Sequence, residues 1–118
     1  MPQDRPTAAE LLDAVREFLE TDVLPEADGR RAFHARVAIN VLNILQRELE
    51  LGPAQQAAEL QRLQTLLNKE GSIAELNAVL ATEIRSGRLD THRAAVMDCV
   101  RETVREKLLI ANPKYLQS

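Results

Sequence analysis

The sequence predicts an all-α protein: a compact bundle of about five helices around a central buried helix at residues 30–51. Three observations carry this expectation. Leu and Ala dominate, and Phe18, Phe33 and Tyr115 are the only aromatics. Leu and Ala rank high as helix formers, whereas β-branched and aromatic residues favour strands. No run alternates with the two-residue period of a strand. Finally, Val37, Ala38, Ile39, Val41, Leu42, Ile44, Leu45 and Leu49 cover well over half a helical turn at about 100° per residue. A helix that is apolar almost all round is normally buried among others.

The first helix opens at Thr7. Glu10 follows three residues later, which makes a capping box: each side chain satisfies the other's otherwise unpaired N–H. Leu11, Leu12, Val15, Phe18 and Leu19 form its inward stripe, continued by Val23 and Leu24 up to Pro25. Proline disfavours a helical residue before it and clashes with the preceding turn. Glu26, Ala27, Asp28 and Gly29 make the turn into the central helix. Gly52 and Pro53 are expected to end that helix, glycine as cap and proline as the start of the next.

The third helix is expected over 53–69, with Ala57, Leu60, Leu63 and Leu67 inward and Gly71 closing it. Ser72 and Glu75 form a second capping box. The fourth helix carries Ile73, Leu76, Val79, Leu80 and Ile84 on one face and ends at Gly87. The last is capped by Asp90 or Thr91. Its stripe is Val96, Val100, Val104 and Ala111, flanked by Met97, Cys99 and Leu108, and Asn112-Pro113 stops it. Tyr115 and Leu116 in the tail are expected to dock. Short loops favour antiparallel neighbours, and the length of 118 residues reads as one helical domain, 1–118.

The formal charge of −3 argues against a nucleic-acid partner, because the basic residues are interleaved with acidic ones and form no polyanion footprint. A single cysteine, Cys99, excludes an intramolecular disulfide and a cysteine-cluster metal site. The N-terminus lacks an apolar signal region and no run reaches the length of a membrane span, so a cytoplasmic protein away from membranes is expected. No HExxH, GxSxG or phosphate-cradling glycine loop occurs, and no cofactor or metal is expected. Cys99 on an apolar stripe reads as inert packing.

The most suggestive constellation is the polar strip of the central helix: Arg36, Asn40, Asn43 and Arg47, spaced i, i+4, i+7, i+11. Amides and guanidinium groups on an apolar helix must face water, a ligand or partners from other helices. They could grip a carboxylate or phosphate, fix helix register through partners such as Glu83 or Glu102, or form a solvent edge. His34 is either a base or ligand, or a helix-start histidine with one partner. Lys107 lies mid-stripe, where its stem can snorkel over apolar surface or join an interface. The last helix carries more apolar surface than one side of a small bundle needs, which points to self-association or a protein partner.

Four stretches carry a resemblance. They are Arg5-Pro6-Thr7-Ala8-Ala9-Glu10-Leu11-Leu12; Phe33-His34-Ala35-Arg36-Val37-Ala38 with Asn40; Arg47-Glu48-Leu49-Glu50-Leu51-Gly52-Pro53; and Lys107-Leu108-Leu109-Ile110-Ala111-Asn112-Pro113-Lys114-Tyr115-Leu116. Together they resemble a family of small all-helical bacterial domains of unknown function. Members of that family are often encoded beside, or fused to, aminoglycoside-phosphotransferase-like kinases and acyl-CoA dehydrogenase-like enzymes. The resemblance implies an accessory protein of such an enzyme, more in keeping with a non-enzyme than an enzyme, and supplies no catalytic residue. The competing expectation is a protein that binds an anionic small molecule, or a minor enzyme, using Arg36, Asn40, Asn43 and Arg47 with His34.

Overall fold

A computed structural model describes residues 5–117. Among them are four α-helices and no strand: α1 (Ala8–Phe18), α2 (Gly29–Leu67), α3 (Ile73–Ser86) and α4 (Arg93–Ala111). The all-α class stands. By contact the chain divides into two compact units, residues 1–50 and 51–118.

In the first unit, α1 starts as its capping box dictates. The Thr7 hydroxyl accepts from Glu10 N at 3.1 Å, and the Glu10 carboxylate accepts from Thr7 N at 2.9 Å. The helix then widens into a π-turn at Leu19–Val23 and tightens into a 3₁₀ turn at Leu24–Glu26, which contains Pro25. The inward side of α1 differs from the expected stripe. Leu12, Arg16 and Leu19 are half-buried, whereas Leu11, Val15 and Phe18 are exposed. Arg16 takes the central inward place because its guanidinium finds partners across the unit, described below.

Two expectations for the central helix are corrected. It does not stop at Gly52-Pro53, because α2 continues to Leu67 with Pro53 inside it. Gly52 does not adopt the positive φ that a glycine cap uses. Proline removes one N–H but does not by itself end a helix flanked by good helix formers such as Leu49, Glu50, Ala54 and Gln55. The helix ends instead at Asn68, whose φ of 53° is left-handed, ahead of the Gly71 expected to close it. Nor is 30–51 the buried centre of the molecule. Only Ala32 and Ala35 are buried there, while Phe33, Val37, Val41, Leu45 and Leu49 are exposed. A wide apolar arc shows that a helix has surface to bury; it does not show that its own chain supplies the cover.

The core lies in the second unit. Leu63 and Leu76 are fully buried beside Leu80 and Cys99, with Leu60, Leu66, Leu67, Ile73 and Leu89 packed against them. The Ser72–Glu75 capping box opens α3, and Gly87, at φ 82°, closes it. Neither Asp90 nor Thr91 caps α4. These residues and His92 form a 3₁₀ turn, Asp90–His92, and His92 precedes α4 without a side-chain cap. The buried row of α4 is Val96, Cys99 and Ile110, with Thr103 and Glu106 half-buried between them, rather than Val100 and Val104. The tail forms a 3₁₀ turn, Pro113–Gln117, in which Tyr115 is 66% exposed and also engaged in an interaction.

Candidate functional site

The first unit is tied together by Arg16. One terminal nitrogen donates to Asn43 Oδ1 at 3.1 Å and to Gln46 Oε1 at 2.9 Å. The other donates to Asp13 Oδ1 at 2.5 Å, and Nε lies 3.7 Å from Glu20. Asp13 and Glu20 stand one turn to either side on the same stretch of chain and aim the guanidinium. The two amide oxygens on α2 then receive it.

This pairing distributes the expected polar strip. Asn43 points to α1 as an acceptor for Arg16. Arg47 is half-buried and also engaged in an interaction. Arg36 and Asn40 are exposed, and among the described residues neither finds a hydrogen-bond partner. His34 lies roughly 200° around the helix from Arg36, two residues away. It accepts from Arg30 Nε at 3.3 Å and meets the Phe33 ring edge-on, with centroids 5.5 Å apart. Asn43 is therefore an internal register contact, and His34 lies on a different side of α2 from the Arg/Asn strip.

The second unit holds a groove that sequence reasoning did not find. Gln61, Arg62, Thr65 and Leu66 of α2 line it opposite His92, Ala95, Asp98 and Cys99, around a cavity of about 550 Å³. That volume lies within the range of small-ligand sites, about 300–1,000 Å³. Arg62 pairs with Glu106 Oε1 at 2.6 Å and donates to Thr103 Oγ1 at 3.0 Å. Gln55 closes the network with a bond to the Glu106 carbonyl at 2.9 Å. The Glu106 carboxylate pushes the Arg62 pKa above its ordinary value, mainly through that hydrogen bond. Arg62 Nε is buried without a hydrogen-bond partner.

Among the described residues no hydrogen bond joins Cys99, Asp98 and His92. The His92 ring instead contacts the Thr91 hydroxyl at 3.1 Å. The groove therefore brings a thiol, a carboxylate and an imidazole to one wall without the nucleophile–base contact that would activate the thiol. Among the described residues no three His, Cys, Asp or Glu side chains gather as metal ligands, and no helix is long and apolar enough to cross a membrane.

The Arg62–Glu106 network has a sequence signal. Val96, Cys99, Thr103, Glu106 and Ile110 follow alternating spacings of three and four, the period of one helix face. That spacing marks Glu106 as an inward acid in need of a cation, whereas the expected row through Val100 and Val104 passes it by.

No curated protein and no solved structure matches the chain. A family model described as a domain of unknown function, DUF6285, matches residues 25–115, from the turn before α2 into the C-terminal 3₁₀ turn, and the chain belongs to that family.

Proposed function

We propose that this is an accessory or interaction protein, which docks a protein partner or a second copy of itself onto apolar helix faces its own chain leaves uncovered. One observation carries the reading: the row Phe33, Val37, Val41 and Leu45 on α2, whose residues are 60%, 44%, 47% and 45% exposed. Single exposed apolar side chains are ordinary, but a contiguous row calls for a partner. Ile84 of α3 with Met97, Val100 and Val104 of α4 adds a second exposed apolar group in the other unit. The resemblance of the four stretches supports, as partner, an aminoglycoside-phosphotransferase-like or acyl-CoA dehydrogenase-like enzyme, in the bacterial cytoplasm. The test is light scattering of the full chain at micromolar concentration, alone and with an aminoglycoside-phosphotransferase-like or acyl-CoA dehydrogenase-like enzyme. Association that Val37→Asp or Val104→Asp abolishes, with helicity by circular dichroism unchanged, is the expected result. A monomer that ignores the enzyme overturns it.

A second reading, an anionic small-molecule binder, is favoured by the unpartnered Arg62 Nε on a residue that lines the groove. It ranks second because Glu106 already neutralises that guanidinium. Calorimetric titration with inorganic phosphate and acetate tests it. Binding lost in Arg62→Gln supports it, and absence of binding removes it.

A further inference from the structure

We infer that the uncovered face of α2 is a self-complementary surface that takes the same face of a second copy, with the two helices antiparallel. The inference rests on the interaction reading above and specifies its occupant.

The face begins and ends with opposite charges. Arg30 and Glu48 are separated by five full helical turns, roughly 27 Å, and therefore share one azimuth. Both are exposed. Between them, on the side away from the Ala32, Ala35, Asn43 and Gln46 positions that face inward, lie Phe33, His34, Val37, Val41, Ile44 and Leu45. The order is symmetric about the level of Ile39. Arg30 mirrors Glu48, Phe33 mirrors Leu45, His34 mirrors Ile44, and Val37 mirrors Val41. A two-fold axis at that level, normal to the helix, sets each residue of one copy against its mirror position in the other. An isologous interface requires this arrangement: residue i meets j, and j meets i. The Val37–Val41 pairs fall at the centre, where water exclusion is greatest. One Arg30–Glu48 ion pair closes each end. A parallel arrangement would set Arg30 against Arg30 and Glu48 against Glu48, so like charges reject it.

The experiment is sedimentation equilibrium of the full chain with four variants: Val37→Asp, Arg30→Glu, Glu48→Arg and the double exchange Arg30→Glu/Glu48→Arg. All these positions are exposed, and circular dichroism verifies the fold of each. The wild type is expected to dimerise and Val37→Asp to be monomeric. Each single charge reversal sets two like-charge pairs in the dimer and weakens it about tenfold. The double exchange restores wild-type affinity, an outcome specific to the antiparallel register. A dimer that Val37→Asp breaks, but that the double exchange does not rescue, overturns this register and leaves the interaction reading intact. A monomeric wild type that binds such an enzyme through Val37 does the same. A monomer that binds nothing overturns both.

Discussion

At the residue scale, the capping boxes have a chemical consequence. Glu10 accepts from Thr7 N and from Arg5, at 2.6 Å to one guanidinium nitrogen, and these bonds favour its charged form. Its pKa falls from 4.5 to about 2, Arg5 being the larger cause. The Glu75 carboxyl is lowered likewise by its backbone bond to Ser72. A depressed carboxylate contributes stability that is fully present above its unfolded-state pKa and is lost as pH falls through its folded value. The start of α1 is therefore expected to loosen as pH drops from about 4.5 to about 2. Hydrogen exchange of the α1 amides against pH measures this, and Glu10→Gln should flatten the profile in that window. A profile unchanged by Glu10→Gln would count against the capping account. Thr7→Ala should cost about 1 kcal/mol of helix stability at neutral pH.

Arg62 and Glu106 make the second prediction at this scale. Both side chains are mostly buried, at 21% and 15% exposure. Glu106→Ala leaves a guanidinium with its main partner gone and should cost about 2 kcal/mol. Replacing both residues with apolar ones should cost less than the two single losses together, since no charge remains stranded. Chemical denaturation of the four proteins as a double-mutant cycle gives the coupling directly.

At the scale of elements, α2 carries the main departure from expectation. Pro53 inside a helix lacks the N–H that would bond the Leu49 carbonyl and crowds that turn. Pro53→Ala is therefore expected to stabilise the protein, by about 1–3 kcal/mol, read as a rise in Tm. A fall would mean that the proline shapes the helix in a way the fold requires. Glycine's role also divides at this scale. Gly87 holds a left-handed φ and a Cβ there would meet Asp90 Oδ2 at 3.2 Å, whereas Gly52, inside α2, does not have a positive φ. Sequence alone presents both as helix-ending glycines; the backbone conformation distinguishes them.

At the scale of the whole molecule, burial is uneven. Leu63, Leu76, Leu80 and Cys99 form the core of residues 51–118, while among the described residues of the first unit only Ala32 and Ala35 are buried. Leu76→Ala is expected to cost about 2–5 kcal/mol, because the site is enclosed and a cavity remains. Val37→Asp should leave the stability of the isolated chain nearly unchanged and act on association. Thermal melts at two protein concentrations separate these effects, since loss of association also removes the concentration dependence of Tm.

Local chemistry alone determined the helical class, both capping boxes, the proline turn after α1 and the glycine that ends α3. Each rests on residues within a few positions of one another, whose backbone preferences and hydrogen bonds form without distant partners. Tertiary structure decided which apolar face is inward. Helical periodicity fixes which residues share a face but not what stands opposite it. The 30–51 arc reads as buried from its own composition, yet Arg16, bonding Asn43 and Gln46, sets the inward side of α2 and leaves Phe33, Val37, Val41 and Leu45 outward. The same holds for the groove. Arg62 and Glu106 lie 44 residues apart in the chain, and their pairing exists only once α2 and α4 have packed.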